Sequence, residues 1–169
     1  MTSLTLRTLA SFLLVPGLVS AASLQQITKF ATNPTNVGFY IYVPDKLASK
    51  PPILLVPHAC HGKAQDACTG TKYATPANTY GNIVIYPDSP STSDKCWDVS
   101  STQSLTRNGS DNAHGIVSMI QWTLSNYAGD ASRVFVTAAY PGDSGLGRRC
   151  RCSMGLRTRR CIRRICRRR

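Results

Sequence analysis

Residues 52–62 read Pro-Ile-Leu-Leu-Val-Pro-His-Ala-Cys-His-Gly. The apolar run Ile53–Val56 shows no polar alternation, which is typical of a strand buried on both faces, as in a parallel sheet covered by helices. The run ends abruptly in a polar, turn-prone loop, His58–Gly62. In open α/β sheets, the residues that carry chemistry lie at the carboxyl ends of such strands. We therefore expect this loop to border the functional site.

The remaining pattern up to Thr137 alternates between strands and helices. Apolar and β-branched runs predict the strands. Of two predicted helices, the first is weakened by Gly70 and Pro76. The second can be capped by Ser110 or Asp111. The order strand, helix, strand, helix, strand predicts an α/β fold with a mainly parallel sheet, in which the first strand can run antiparallel. The predicted strands are 37–44, 52–58, 82–88 and 133–137, and the predicted helices are 63–80 and 111–127.

Charge and cysteine are unevenly distributed over the 169 residues. Residues 1–147 carry nine Lys and Arg against eight Asp, whereas residues 148–169 carry eleven Arg and no acid. The chain is therefore a near-neutral globular sequence with a cationic tail, not a basic domain. The four cysteines of the tail lack the spacing and the histidines of a zinc site. The other three cysteines are Cys60, Cys68 and Cys96.

The first 22 residues have the features of a secretory signal peptide. Arg7 gives a positive start, residues 9–19 are apolar, and Val19-Ser20-Ala21-Ala22 offers small residues at cleavage spacing. The alternative is a short hydrophobic first helix, since the run is too short to span a bilayer. Secretion implies an oxidising compartment in which cysteines can pair. It would also make Asn108-Gly109-Ser110 an acceptor for N-glycosylation, although this sequon can equally remain unoccupied.

Five segments follow one another in a fixed order: Asn36–Pro44, the strand with its His58-Ala59-Cys60 loop, Tyr80–Pro87, Cys96–Ser101 and Ser132–Thr137. Together they resemble the secreted fungal carbohydrate esterases of the acetylxylan esterase and feruloyl esterase type, which are related to polyhydroxybutyrate depolymerases. Each segment alone is weak evidence for the resemblance, whereas the five in this order, over about residues 23–137, are specific to it. The resemblance implies an α/β-hydrolase with a Ser-His-Asp triad that cleaves acetyl or feruloyl esters on xylan. It implies no metal or organic cofactor.

The resemblance also implies roles for three residues. Cys60 falls at the oxyanion-hole position, where its backbone N–H acts and its sulfur does not. Its thiol is then free to form a disulfide with Cys96. Trp97 would line the substrate cleft. The alternatives are a buried structural cysteine at position 60, which is compatible with both roles, and ordinary packing for Trp97.

The positions of the three histidines in the chain argue against a catalytic role. The triad histidine of an α/β-hydrolase comes late in the chain, after the serine and the acid. His58, His61 and His114 all precede the position where the nucleophile is expected. We therefore interpret His58 and His61 as loop residues.

The nucleophile motif is absent where this fold requires it. Gly-x-Ser-x-Gly should directly follow the strand 133–137, because the serine sits on a strained turn beside which bulky residues clash. Residues 138–146 read instead Ala-Ala-Tyr-Pro-Gly-Asp-Ser-Gly-Leu. The simplest interpretation is that about a dozen residues carrying this turn are missing. Gly142–Gly145 resembles the serine motif of trypsin-type proteases, but its context does not fit, and we predict no catalytic role for Ser144.

These observations divide the chain into three parts. Residues 1–22 form a signal peptide, residues 23–137 form the N-terminal part of an esterase domain, and residues 138–169 form a divergent Arg- and Cys-rich tail that we predict to be disordered. For the tail, a gene sequence read in a shifted frame or through a misplaced splice site is favoured over a genuine segment.

The leading hypothesis is a secreted, monomeric serine esterase by family, with a xylan ester as substrate and no nucleic acid or membrane as partner. The chain as written is predicted to be inactive, because the resemblance stops before the triad. One alternative is a non-catalytic secreted protein whose cationic tail binds polyanions. Another, ranked last, is a small redox or metal module built on His58, Cys60 and His61. The preference for acetyl or feruloyl esters stays open.

Overall fold

The computed structural model describes residues 22–106 and 109–137, and the backbone of residues 150–152, which fold around one sheet with helices on both faces. The strands are β1 (Leu24–Gln26), β2 (Gly38–Tyr42), β3 (Ile53–Leu55), β4 (Ile83–Asp88), β5 (Val134–Val136) and β6 (Cys150–Cys152). The helices are α1 (Ala64–Thr71), α2 (Ala74–Tyr80), α3 (Thr102–Leu105) and α4 (Asn112–Asn126).

The sheet has a parallel centre and antiparallel edges. Its strand order is β1-β2-β4-β3-β5-β6, and β3 pairs in parallel with both β4 and β5. Ile53 is opposite Ile83 on one side and Val134 on the other. The pairs β1–β2, β2–β4 and β5–β6 are antiparallel. The predicted α/β fold is thus confirmed. The whole sheet is mixed, because the predicted strand β2 pairs antiparallel with β4, and the two short edge strands, which were not predicted, also pair antiparallel.

The central strands are buried on both faces, as their unbroken apolar runs predict. On β4, Ile83 and Ile85 belong to the cluster under α4, whereas Val84 and Tyr86 belong to the cluster under α1 and α2. All four side chains have no exposed surface. Because successive residues of a strand point to opposite faces, only a sheet covered on both sides can bury such a run. The α4 cluster also contains Val37, Phe39, Ile41, Ile53, Leu55, Ile116, Met119, Ile120, Val134 and Val136.

The prediction of a single helix over 63–80 is wrong, because the structure has two helices there, α1 and α2. Helix α1 ends at Lys72, which adopts a left-handed conformation with φ of 53°. Helix α2 starts again after Tyr73, so Pro76 lies in its first turn. A proline in the interior of one long helix would lose a backbone hydrogen bond and clash with the preceding turn, whereas the first turn has no partner for that N–H. Gly81 then ends α2 with φ of 68°, as predicted for a glycine cap.

Helix α4 confirms the second predicted helix and decides between its two capping candidates. The carboxylate of Asp111 accepts the N–H of His114 at 3.0 Å, so Asp111 and not Ser110 is the cap. Asp111 is buried, which strengthens the need for this hydrogen bond. The short helix α3 was not predicted, and it begins where the Ser101 hydroxyl accepts the N–H of Ser104.

Two predicted segments fall wholly or mainly outside the described residues. These are the signal peptide, of which only Ala22 is described, and the tail from residue 138. Strand β6 lies within that tail, and the remainder of the disorder prediction stands as a prediction. Within the described ranges, none of the helices is long and apolar enough to cross a bilayer.

Candidate active site

Two loops meet at the carboxyl edge of the parallel strands. The β3 loop, residues 58–62, follows β3, and the β4 loop, residues 89–97, follows β4. A disulfide between Cys60 and Cys96 joins the loops, with Cα atoms 4.2 Å apart. The predicted disulfide is confirmed.

His58 is a buried structural residue of the β3 loop, with 4% of its surface exposed. Its Nδ1 lies 2.7 Å from the carbonyl oxygen of Ala59, and its Nε2 accepts the N–H of Ser89 at 3.0 Å. Both ring nitrogens are therefore engaged with the backbone. This arrangement agrees with the interpretation of His58 as a loop residue and leaves it no nitrogen for a substrate proton or a metal ion.

The Trp97 side chain links the β4 loop to the β3 loop. Its indole N–H donates to the carbonyl oxygen of His58 at 2.8 Å, and the two rings lie 5.0 Å apart between centroids. The side chain is partly buried and packs against the cluster under α4. Packing is thus one role of Trp97, and its predicted place in a substrate cleft remains a prediction.

Asp88, at the end of β4, contacts the start of α1 and residues of both loops. Its Oδ1 accepts the first N–H of α1, that of Ala64, at 3.0 Å, and lies 3.5 Å from Nε2 of His58. Its Oδ2 forms an ion pair with Nζ of Lys95 at 3.3 Å. Lys95 also donates to the carbonyl oxygen of Ser89 at 3.1 Å. The end of β4 therefore fixes the start of α1 and the β4 loop together, as a carboxylate near a helix N-terminus is suited to do.

Two further aspartates stiffen the segment around the disulfide. The Ser91 hydroxyl, at 2.6 Å, and the Cys96 N–H, at 2.9 Å, hold the pKa of Asp94 below its ordinary value. For Asp98, burial alone would raise the pKa, but hydrogen bonds from Ser101 and the Ser100 N–H outweigh it and lower the pKa. Both carboxylates stay ionised near neutral pH and act as acceptors within their own loop.

The backbone N–H of Cys60 takes no part in the hydrogen bonds of its own loop. The N–H of His61 donates to the Asp94 carbonyl oxygen at 2.8 Å, and the N–H of Gly62 donates to that of Ala59 at 3.1 Å. Within residues 22–106 and 109–137, no acceptor takes the N–H of Cys60, which is an exposed residue. An available backbone donor at this edge is the element that an oxyanion hole requires.

Comparison with known protein families identifies the chain. The Esterase PHB depolymerase family matches residues 37–150. The chain belongs to this family. The match begins at the residue before β2 and includes the disulfide-linked loops.

Relatives within and near the family support the assignment. Acetylxylan esterase A of Emericella nidulans is 56% identical over 119 residues, which cover 70% of this chain and 39% of the relative. Acetylxylan esterase A of Aspergillus awamori is 51% identical over 122 residues, covering 72% of this chain and 40% of the relative. The chain thus spans about two fifths of the length of these curated relatives.

Solved structures confirm the α/β-hydrolase type of fold. The acetyl xylan esterase from Aspergillus awamori superimposes with a TM-score of 0.66 at 51% identity, over 69% of this chain and 42% of that one. Poly(aspartic acid) hydrolase-1 from Sphingomonas sp. KT-1 gives a TM-score of 0.52 at 17% identity, over 72% of this chain and 47% of that one. The second likeness shows the fold alone.

Two residues singled out from the sequence of this esterase-family chain lie outside the described residues. They are the glycosylation candidate Asn108 and Ser144, for which no catalytic role is predicted. The sequence directly after β5 contains no Gly-x-Ser-x-Gly. The disulfide also argues against the alternative of a metal module built on Cys60. The Cys60 sulfur is bonded to Cys96 and cannot bind a metal as a thiolate.

Sequence reasoning missed Asp88 and Ser89, which hold the site of this family member together. Asp88 is the last residue of the buried strand β4 and Ser89 follows it, so the rule that singled out the β3 loop could have singled them out as well. Their partners could not have been named from the sequence, because each hydrogen bond depends on how the two loops fold onto each other.

Proposed function

We propose that this chain is the N-terminal part of a carboxylic ester hydrolase that removes acetyl, or feruloyl, groups from xylan. The observation that carries the proposal is the Cys60 N–H, which has no acceptor within the described ranges and follows the central strand β3. The proposed ester chemistry is supported by 56% identity over 119 residues to an acetylxylan esterase. Family membership by itself would leave the substrate class open.

The proposed mechanism is acyl transfer to a serine. The serine oxygen attacks the ester carbonyl carbon, a histidine takes the serine proton, and the carbonyl oxygen becomes negatively charged. The ester C–O bond then breaks, the histidine returns the proton to the leaving sugar hydroxyl, and water releases the acid from the serine in the same way. We assign the Cys60 N–H as one donor to that oxygen, the other being the N–H of the residue after the serine. One such donor is worth roughly 10²–10³ in rate. Trp97 would form a wall of the cleft beside it.

The 169-residue chain by itself is proposed not to hydrolyse esters. The residues after β5 read Ala138-Ala139-Tyr140-Pro141 and lack the Gly-x-Ser-x-Gly motif of the tight turn that presents a nucleophilic serine. The second oxyanion donor is lost with that turn. The remaining donor and cleft wall can bind an ester only weakly and leave the attack to bulk water.

We also propose that the protein is extracellular, monomeric and without cofactor, nucleic acid or membrane partner. The disulfide between Cys60 and Cys96 supports an oxidising compartment. The apolar start of the chain supports a cleaved signal peptide. Mass spectrometry of secreted material would test both the cleavage after residue 22 and glycosylation at Asn108. A product that begins at Met1 and stays in the cell would contradict the proposal.

The genomic DNA around the codon of Thr137 tests the family function most cheaply. A reading frame that encodes Gly-x-Ser-x-Gly directly after Thr137, followed later by an aspartate and a histidine, is the expected result. A transcript that continues through Arg148–Arg169 with no such frame would favour the cationic, polyanion-binding alternative.

The donor assignment is tested in a longer form that contains the serine turn. Replacing Cys60 by proline removes the N–H, and replacing Cys96 by alanine in the same protein avoids an unpaired thiol. The matched control is Cys60→Ala with Cys96→Ala, which loses the disulfide but keeps the N–H. We expect kcat on acetylated xylan to fall roughly 10²-fold further in the proline variant than in the control. Equal rates in the two variants would refute the assignment.

A further inference from the structure

We propose that His58 is a positioning residue of this site, which in its neutral form with the proton on Nδ1 clamps the β3 loop to the β4 loop and so fixes where the Cys60 N–H points. The clamp is a property of the described residues. Its use in catalysis rests on the proposed function, because only an esterase needs that N–H as an oxyanion donor.

The two partners of His58 determine its tautomer. The carbonyl oxygen of Ala59, 2.7 Å from Nδ1, can only accept a hydrogen bond, so Nδ1 must carry a proton. The backbone N–H of Ser89, 3.0 Å from Nε2, can only donate, so Nε2 must present its lone pair. Because His58 is buried, a proton on Nε2 would leave the Ser89 N–H without its acceptor, in exchange for a longer contact of 3.5 Å to Oδ1 of Asp88.

Ser89 passes this constraint on to the disulfide. Its N–H is held by His58, and its hydroxyl donates to the carbonyl oxygen of Cys96 at 2.8 Å. Trp97, the next residue, donates back to the His58 carbonyl oxygen at 2.8 Å. Both sides of the Cys60–Cys96 bond are thus tied to the same imidazole, one through the backbone of the β3 loop and the other through Ser89.

The His58 ring also restrains the direction of the Cys60 N–H. The hydrogen bond from Nδ1 restrains the Ala59 carbonyl, and this carbonyl belongs to the peptide group whose N–H is that of Cys60. The same oxygen also accepts the N–H of Gly62 at 3.1 Å. Since a peptide group is planar, fixing its oxygen fixes its N–H on the opposite side. The His58 ring therefore sets the orientation of the proposed oxyanion donor without touching a substrate.

The tautomer can be observed directly in the full chain. Nitrogen-15 spectra of histidine-labelled protein at neutral pH should show one protonated and one unprotonated ring nitrogen for His58, with the proton on Nδ1. A proton on Nε2, a doubly protonated ring, or rapid exchange between tautomers would overturn the proposal. This measurement uses the unmodified protein, so it decides the matter even if a substituted chain fails to fold.

Substitutions then separate positioning from general stability. His58→Phe keeps a ring beside Trp97 but has no nitrogen, whereas His58→Gln retains an acceptor that can reach the Ser89 N–H. We expect the Phe variant to speed hydrogen exchange at the Ser89 amide about tenfold and to shift or split the Cys60 amide resonance. The Gln variant should restore slow exchange at Ser89.

Two controls make this result specific. The amide of Ile85, in the sheet, reports on the stability of the whole fold, so the Phe variant should accelerate its exchange less than that of Ser89. Ser89→Ala removes the hydroxyl but keeps the N–H, so it should leave the His58 tautomer unchanged. The proposal is wrong if the Phe variant leaves Ser89 and Cys60 unaltered, or if it accelerates Ser89 and Ile85 by the same factor. Neither measurement needs ester hydrolysis, so failure of the proposed function would leave the outcome for His58 readable.

Discussion

At the scale of single residues, two helical glycines predict opposite effects of the same substitution. A Cβ at Gly115, on α4, would lie 2.5 Å from Oδ1 of Asn33, whereas a Cβ at Gly70, on α1, would meet nothing within 4 Å. Asn33 cannot yield freely, because its side chain makes hydrogen bonds of 3.0 and 2.9 Å with the backbone of Val37. Gly115→Ala should therefore destabilise the protein by about 1–2 kcal/mol despite the better helix propensity of alanine.

Gly70→Ala is the matched control for this prediction. It gains helix propensity without a clash and should stabilise the protein by about 0.5 kcal/mol. Urea unfolding of the three proteins measures both effects. Equal stabilisation by both substitutions would show that α4 does not approach Asn33 as closely as described.

Asp130, between α4 and β5, predicts a pH effect. The Ser132 hydroxyl and the Arg133 guanidinium, each 2.6 Å away, hold the pKa of Asp130 at about 2. An aspartate with a lowered pKa stabilises the fold fully above its unfolded pKa of about 4, and this contribution is lost as the pH falls through about 2. Ser132→Ala should raise the pKa of Asp130, as measured by NMR titration. An unchanged pKa would contradict the contact.

At the scale of elements, the disulfide is expected to stabilise the fold more than any single hydrogen bond at the site. It closes a loop with a sequence separation of 36, which contains α1, α2 and β4. Loop-closure entropy alone predicts that Cys60→Ala with Cys96→Ala costs roughly 2–4 kcal/mol in free energy of unfolding. Urea denaturation of the oxidised and the doubly substituted chains measures the cost.

Cys68→Ala is the control for the disulfide, since Cys68 is a free, half-buried thiol on α1. Burial raises the pKa of this thiol, so it stays protonated and does not attack the disulfide readily. We expect a cost of about 1 kcal/mol or less from its substitution. A cost of about 1 kcal/mol or less for the double substitution, no larger than that expected for Cys68→Ala, would indicate that the Cys60–Cys96 bond does not restrain the chain.

The same elements show where sequence reasoning works and where it ends. Strands β3 and β4 were predictable because burial on both faces leaves an unbroken apolar run. The break at Lys72 was not, because Pro76 fits either a weakened long helix or the start of a new one. The disulfide followed from the family resemblance. The contact between His58 and Ser89 depends on two loops folding onto each other, and no pattern within either loop indicates it.

At the scale of the whole molecule, the described residues form a mixed sheet with a parallel centre and helices on both faces. The Cys60 N–H at the carboxyl edge is the oxyanion donor that we propose. The chain spans 39% of the length of its relative from Emericella nidulans. The nucleophile turn would have to follow β5 directly, and the residues there are Ala138-Ala139-Tyr140. This chain therefore contains the N-terminal part of the family's scaffold, and the Gly-x-Ser-x-Gly motif is absent from the sequence directly after β5.

The most direct test of this separation is an esterase assay on residues 23–169. The protein and its Ser144→Ala variant would be compared on p-nitrophenyl acetate, with buffer as the blank. We predict that both release p-nitrophenol at the rate of the blank, because the sequence directly after β5 lacks the Gly-x-Ser-x-Gly motif that presents an activated serine. Turnover well above the blank that Ser144→Ala abolishes would contradict the central claim and establish Ser144 as a nucleophile.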